Sequence, residues 1–185
     1  GIDLALKIVP SGVPSVALLR DARCDLRLTP LPPDAPDLVQ RKLFTGQMRL
    51  FFDAACTEPP RTVEAYLAAQ HIGVQFALGG ASSEVLKSRE LPSLPAPRVR
   101  VSNFSGIPPF VKGTRLIATQ LEFLRHTSLR DLAHAPLPFV SEPVSVFMVW
   151  HQRSTNDPAH KWLRQRTFEI ASSWSKVDAP ARMVG

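Results

Sequence analysis

The stretch VSVFMVWHQRSTNDPAHKWLRQRTFEIASSW, residues 144–174, places a strand and a helix in immediate succession, and its reading decides the fold. Val144, Val146, Met148 and Trp150 alternate with Ser145, Phe147 and Val149 in a nearly unbroken apolar run. A central strand covered on both faces has this composition. The segment that follows is punctuated as a helix start. Asn156 or Asp157 can accept one of the orphan N–H groups of the first turn, and Pro158 suits a first position where no N–H is needed. Leu163, Thr167, Ile170, Ala171 and Trp174 recur at helical spacing and predict the buried stripe.

Working back toward residue 1, the same alternation of element types continues. Ile2, Leu4, Leu6 and Ile8 predict a strand over 2–9, and Val16, Leu19 and Arg20 a short helix through Ala22. A short strand follows at Asp25–Leu28, then the proline-rich loop TPLPPDAPD, then a strand over Gln47–Asp53. Thr62–Ala69 has helical spacing; Ile72, Val74 and Phe76 alternate as a strand that ends in LGGAS. A helix is expected at Ser82–Leu91, a strand at Arg98–Val101, a helix from Pro108 to Lys112 with Gly113 after it, and a strand at Leu116–Thr119. Leu121, Leu124, Leu129 and Leu132 predict one more helix. Strands alternating with helices argue for an α/β architecture with mostly parallel sheets.

The chain has 185 residues, 44% of them apolar and 21% charged, enough for a sizeable core and against global disorder. No apolar run approaches the ~18 residues of a membrane span, and the first residues do not read as a secretory signal. Cys24 and Cys56 are the only cysteines; with no CxxC they fit a reducing cytoplasm and read as incidental thiols. The net charge of +6 would suit nucleic acid only if it were gathered into a stripe. The basic residues are instead scattered, from Lys7 and Arg20 to Arg130 and Lys161, and read as solvated surface.

Catalytic and metal signatures are missing. There is no GxSxG elbow, Walker motif or GxGxxG, and His71, His126, His134, His151 and His160 lack metal-ligand spacing. No catalytic residue, metal or cofactor is expected. One segment remains, SNFSGIPPF at Ser102–Phe110. A strand ends at Val101, two hydrogen-bonding side chains follow, and a helix opens at the prolines. In open α/β sheets, ligands bind beyond the carboxyl ends of strands. The same residues also fit an ordinary strand-to-helix loop with a serine cap.

The order of segments resembles the effector-binding domain of LysR-type transcriptional regulators. LLRDARCDLRLTPLPPDAPDLVQRKLF (18–44) is similar to the family's helix, "DLal"-like strand, loop and "re-L" strand. VEAYLAAQHIGVQFALGGASSEV, VRVSNFSGIPPFVKGTRLIAT and FMVWHQRSTNDPAHKWLRQ follow in family order. The ending W-H-x-R, then D-P-A-H-x-W-L-R, is the most specific part and looks like the branch that answers aromatic compounds and plant phenolics.

The resemblance implies a two-lobed, type 2 periplasmic-binding-protein-like α/β fold. Residues 1–55 and 139–185 would form lobe I and 56–138 lobe II, with crossings near Ala54–Cys56 and Phe139–Ser141. A small effector, an aromatic or other carboxylate, would sit between the lobes. Ser102, Asn103, Phe104, Gln75, Phe52 and Val149 would contact it, Phe104 and Phe52 packing on a ring, with the Phe76–Gly79 loop beside them. The family also implies a cytoplasmic homo-oligomer, a dimer or, at full length, a tetramer. Promoter DNA would be bound only through an N-terminal winged helix-turn-helix, expected to lie outside this stretch of sequence, and no membrane is expected to be involved. Gly1 corresponds to the approach of the family's second strand, so the first strand and helix of lobe I are also expected to be absent. Arg27 stands where that strand is usually apolar, and Gln120 where a proline is common. A transporter's solute-binding protein and a small enzyme on the same fold are the competing readings; the WHxR…DPAHxWLR ending favours the regulator.

Overall fold

The structure, a computed structural model, describes residues 5–8, 16–76, 86, 88–90 and 94–177, with side chains to 173. The chain divides into two compact units, changing from one to the other at Thr45/Gly46 and returning at Val144/Ser145. The crossings therefore fall earlier in the first case, and later in the second, than the resemblance implied. The reason is strand pairing: among the described residues, β3 residues 48–52 pair with strands of the second unit.

Unit 1 holds α1 (Val16–Arg20), β1 (Arg27–Thr29), β2 (Leu38–Gly46), β8 (Val144–His151) and α4 (Pro158–Val177). Its sheet runs β1-β8-β2, so β8 is central as its apolar run requires. β1 lies antiparallel to β8, Arg27 opposite Val149. Leu43, Met148, Trp150 and Ala171 form the core, with Leu26, Val39, Phe44 and Phe168 packed against it. Asp157 is the cap of α4, its Oδ1 accepting from the His160 N–H at 2.7 Å. The helix turns His160, Phe168 and Ala171 inward and leaves Ile170 51% exposed, so Ile170 does not belong to the buried stripe. The Trp174 side chain lies outside the described residues.

Unit 2 holds β3 (Met48–Phe52), α2 (Val63–Ala68), β4 (Gln70–Val74), β5 (Val99–Val101), α3 (Ile107–Val111), β6 (Leu116–Leu121) and β7 (Ala133–Pro136). The strand order is β5-β4-β6-β3-β7. β4 runs parallel to both β5 and β6, while β3 is antiparallel to β6 and β7. Alternation sends neighbouring side chains to opposite faces. Phe51, with Ile72, Val74 and Ala118, packs under α3 and the leucines 124, 129 and 132. Phe52 and Leu50 pack on the other face with Tyr66, Ile117 and Phe139. There the Tyr66 hydroxyl meets Thr119 Oγ1 at 2.9 Å, and its ring stands edge-on to Phe139 and His71. Thr62 caps α2, accepting from the Ala65 N–H at 3.2 Å.

Two expectations are corrected, and one strand was not expected. Residues 5–8 carry no strand, and Leu6 and Ile8 are 61% and 95% exposed. An alternating pattern becomes a strand only where a neighbour takes its backbone groups. The helix expected through Leu121–Leu132 is a 3-10 turn at Glu122–His126 followed by further turns. Leu124, Leu129 and Leu132 are buried, but by short turns packed on one sheet face and not by a continuous helix; Leu121 ends β6 and is half-buried. β7 emerges from AHAP, which has no alternation, because the free edge of β3 accepts it. The expected strand at 2–4 and 9, the LGGAS turn and most of the Ser82–Leu91 helix lie outside the described residues.

Candidate functional site

Of the side chains singled out in the sequence, one group is assembled where β4 and β5 end. The parallel register sets Val74 beside Val101, and the Gln75 N–H extends it by donating to the Val101 carbonyl at 2.9 Å. Gln75 therefore emerges beside Ser102 and Asn103, and all three are exposed. Phe76 and Phe104 meet edge-to-face at 6.1 Å just below, anchored on the core that contains Phe51. The arrangement is a polar rim over an aromatic floor at the carboxyl ends of two parallel strands.

Asn103 shapes this rim. It caps the 3-10 turn Phe104–Gly106, its Oδ1 accepting from the Gly106 N–H at 3.0 Å, while its Nδ2 donates to Ser102 Oγ at 3.4 Å. The cap is thus asparagine and not serine. A Cβ at Gly106 would come within 3.1 Å of Val101 Cβ, so glycine lets the turn close against β5. α3 follows directly with Pro108 in its first turn. It ends at Val111 with Lys112 as its C-cap, and Gly113 then takes φ +74°, a left-handed conformation that favours glycine. The Gly113 N–H donates to Asp53 Oδ2 at 2.7 Å; this bond and one from Ala55 hold the Asp53 carboxyl below its usual range.

Phe52 and Val149 are not part of this group. Phe52 is buried on the sheet face opposite Phe104, so the two rings do not flank one ligand. Val149 is fully buried in unit 1. The one-residue alternation along β3 turns Phe52 away from the face that carries Phe104.

The ending WHQRSTNDPAHKWLR serves a different purpose. Arg164 donates to the carbonyls of Ser154 and Thr155 at 3.0 and 2.8 Å, meets His160 Nδ1 at 2.5 Å, and lies 4.7 Å over the Trp150 ring. Trp150 Nε1 donates to Thr155 Oγ1 at 3.1 Å. His160 Nε2 reaches the Asp25 carbonyl at 2.9 Å. Arg153 donates to the carbonyls of Leu19 and of Arg20, the latter at 2.6 Å, closing the last turn of α1. Arg20 in turn forks onto Asp37 at 2.6 and 2.8 Å and holds that carboxyl well below the usual range. His151 Nε2 stands 3.3 Å from the same carboxylate. The motif therefore ties β8, α4, α1 and the approach to β1 into one unit.

Cys24 and Cys56 are both free and lie in different units. Burial pushes the Cys24 thiol up, the opposite of an activated thiolate. Among the described residues no cluster of His, Cys, Asp or Glu is arranged to hold a metal ion, and no helix is long and apolar enough to cross a membrane.

Comparison with known proteins decides the family. The LysR substrate binding domain matches residues 2–169. This chain belongs to that family. It is 29% identical over 153 residues to the transcriptional activator NagR of a Ralstonia species, covering 80% of this chain and 50% of that protein. To nodulation protein D 2 of Rhizobium tropici it is 30% identical over 129 residues, covering 67% and 40%. The chain thus spans half or less of the length of these curated relatives. In structure it is similar to the regulatory domain of MexT from Pseudomonas aeruginosa, with a TM-score of 0.65, 20% identity, and 83% and 75% of the two chains covered. The CrgA regulatory domain of Neisseria meningitidis gives 0.67 at 15% identity over 85% and 80%. These likenesses show the α/β, type 2 periplasmic-binding-protein-like fold. As a member of this family the chain is an effector-sensing domain of a LysR-type regulator, and the family is not one of enzymes.

Proposed function

We propose that the effector is a small aromatic or other carboxylate, and that it binds at the carboxyl ends of β4 and β5. The observation that carries this reading is the exposed Gln75–Ser102–Asn103 rim over the Phe76–Phe104 pair. A few placed polar groups over an apolar floor orient a small ligand. Ser102 Oγ–H, Asn103 Nδ2 and the Gln75 amide supply donors to a carboxylate, and the aromatic pair receives the ligand body. Ligand binding would bias the conformation of the regulator only through its differential affinity for two states. In the whole protein that bias would reach promoter DNA through an N-terminal winged helix-turn-helix in a cytoplasmic homo-oligomer, a dimer or tetramer.

The test is a thermal-shift screen of the chain against aromatic and aliphatic carboxylates, repeated with Asn103→Ala and Gln75→Ala. A ligand at 100 times its dissociation constant stabilises by ~2.7 kcal/mol, a readily measured shift. The expected result is a carboxylate whose shift shrinks in both variants. Absence of any hit, or a hit unchanged in both, removes the site from this rim.

A further inference from the structure

The ending WHQRSTNDPAHKWLR carries two histidines outside the Gln75–Asn103 rim, and the partners of one of them fix the state of its ring. His160 is buried at 7% exposure on the inner side of α4. Its Nδ1 meets Arg164 Nη1 at 2.5 Å. A guanidinium only donates, so Nδ1 is the acceptor and carries no proton. Its Nε2 meets the Asp25 carbonyl at 2.9 Å. A carbonyl only accepts, so Nε2 carries the proton. The ring is therefore the neutral Nε2–H tautomer with both nitrogens engaged. Around it stand the tilted Trp150 indole at 6.5 Å, from β8, and Asp25, an exposed residue on the approach to β1. On its own helix, Asp157 accepts the His160 backbone N–H at 2.7 Å.

His151 is different. Its Nδ1 also accepts, from the Arg153 N–H at 3.2 Å, but its Nε2 stands 3.3 Å from the Asp37 carboxylate. A second proton on His151 costs one backbone hydrogen bond and brings a positive charge to a carboxylate. A second proton on His160 would lie between two cations, and the guanidinium cannot give up its own. The same Arg164 guanidinium also holds the carbonyls of Ser154 and Thr155, with Nη1 serving both Ser154 and His160. Whatever displaces it from His160 therefore also loosens the turn that joins β8 to α4.

We propose that His160 is an acid-released latch in unit 1: a proton taken from solvent at Nδ1 expels the Arg164 guanidinium and frees the connection between β8 and α4. Histidine is the side chain suited to such a switch, because its charge changes near neutral pH. The latch is separate from the rim and acts with no effector bound. A fall in pH then loosens unit 1 where its central strand meets its long helix, while the Asp25 carbonyl keeps its Nε2 donor.

The experiment follows the His160 ring, the Arg164 side chain and the Trp150 indole of the chain by NMR through a pH titration, with His160→Gln assigning the ring. At neutral pH the His160 ring should show Nε2 protonated and Nδ1 bare. As it gains its second proton, the Arg164 signal should be lost to solvent exchange and the Trp150 indole signal should shift, both at the His160 midpoint. The amides of β3 in unit 2 should stay in place. Glutamine offers one acceptor and donors but no proton to gain, so in His160→Gln the Arg164 and Trp150 signals should not move over the same range. His71→Gln should leave the transition intact. A ring protonated at Nδ1 at neutral pH overturns the proposal, and so does a ring that stays neutral down to about pH 5. Arg164 and Trp150 signals that ignore the His160 midpoint overturn it too. These three outcomes are read on the unsubstituted chain and stand whether or not His160→Gln folds; in a folded variant, a transition that persists has the same meaning.

Discussion

Tyr66 and Thr119 offer a quantitative test of how the sheet that carries the rim is held. Tyr66 is fully buried, and its hydroxyl lies 2.9 Å from the buried Thr119 Oγ1. The pair ties α2 to β6, the strand beside β4. Tyr66→Phe deletes one hydrogen bond and costs about 1 kcal/mol. Thr119→Val keeps the shape of the side chain but strands the tyrosine hydroxyl among apolar groups, which costs about 2 kcal/mol. With both substitutions no polar atom is left unpaired, and two apolar groups replace a hydrogen-bonded pair. The double variant should then lose less than about 1 kcal/mol, against about 3 for the sum of the singles. Urea unfolding of the four proteins at a common m-value measures this coupling of about 2 kcal/mol. If the double variant equals the sum of the singles within about 0.5 kcal/mol, the hydroxyl pair does not act as a unit and the reasoning fails.

The α4 network and the buried histidine make two more predictions. Arg164→Lys retains the charge but loses the fork onto the Ser154 and Thr155 carbonyls; a loss of ~1 kcal/mol, or ~2–4 °C in unfolding temperature, is expected in a scanning melt. His71 lies buried with Nε2 on the Tyr66 carbonyl at 2.8 Å, and burial pushes its pKa down. The unfolded chain therefore takes up this proton first. The His71 contribution to stability is complete above about pH 6.5 and is lost as pH falls toward the folded-state value. Urea midpoints at neutral and mildly acid pH should converge in His71→Gln relative to the unsubstituted chain.

Much of the fold was legible because it is decided locally. The apolar run of β8, the Asp157-Pro158 helix start, the Thr62–Ala69 helix and the Val101–Gly113 strand-turn-helix all rest on signals within a few residues. The order of those segments was enough to name the family. The rim was legible in part for the same reason. Ser102, Asn103 and Phe104 are consecutive, and Gln75 comes beside them through one parallel register.

What tertiary structure alone decided depends on partners distant in sequence. β7 has no strand pattern and exists because the edge of β3 takes its hydrogen bonds. Residues 5–8 have the pattern and form no strand. The leucines of 121–132 are spaced for a helix, but the sheet beneath them accepts short turns. Phe52 reads as a pocket residue until the alternation of β3 assigns it to the opposite face from Phe104. The motif that identified the family proved to be the knot of unit 1. Composition and periodicity report what each residue prefers. Which face it occupies, and which charges it meets, is set by strand register, and register is a property of two segments at once.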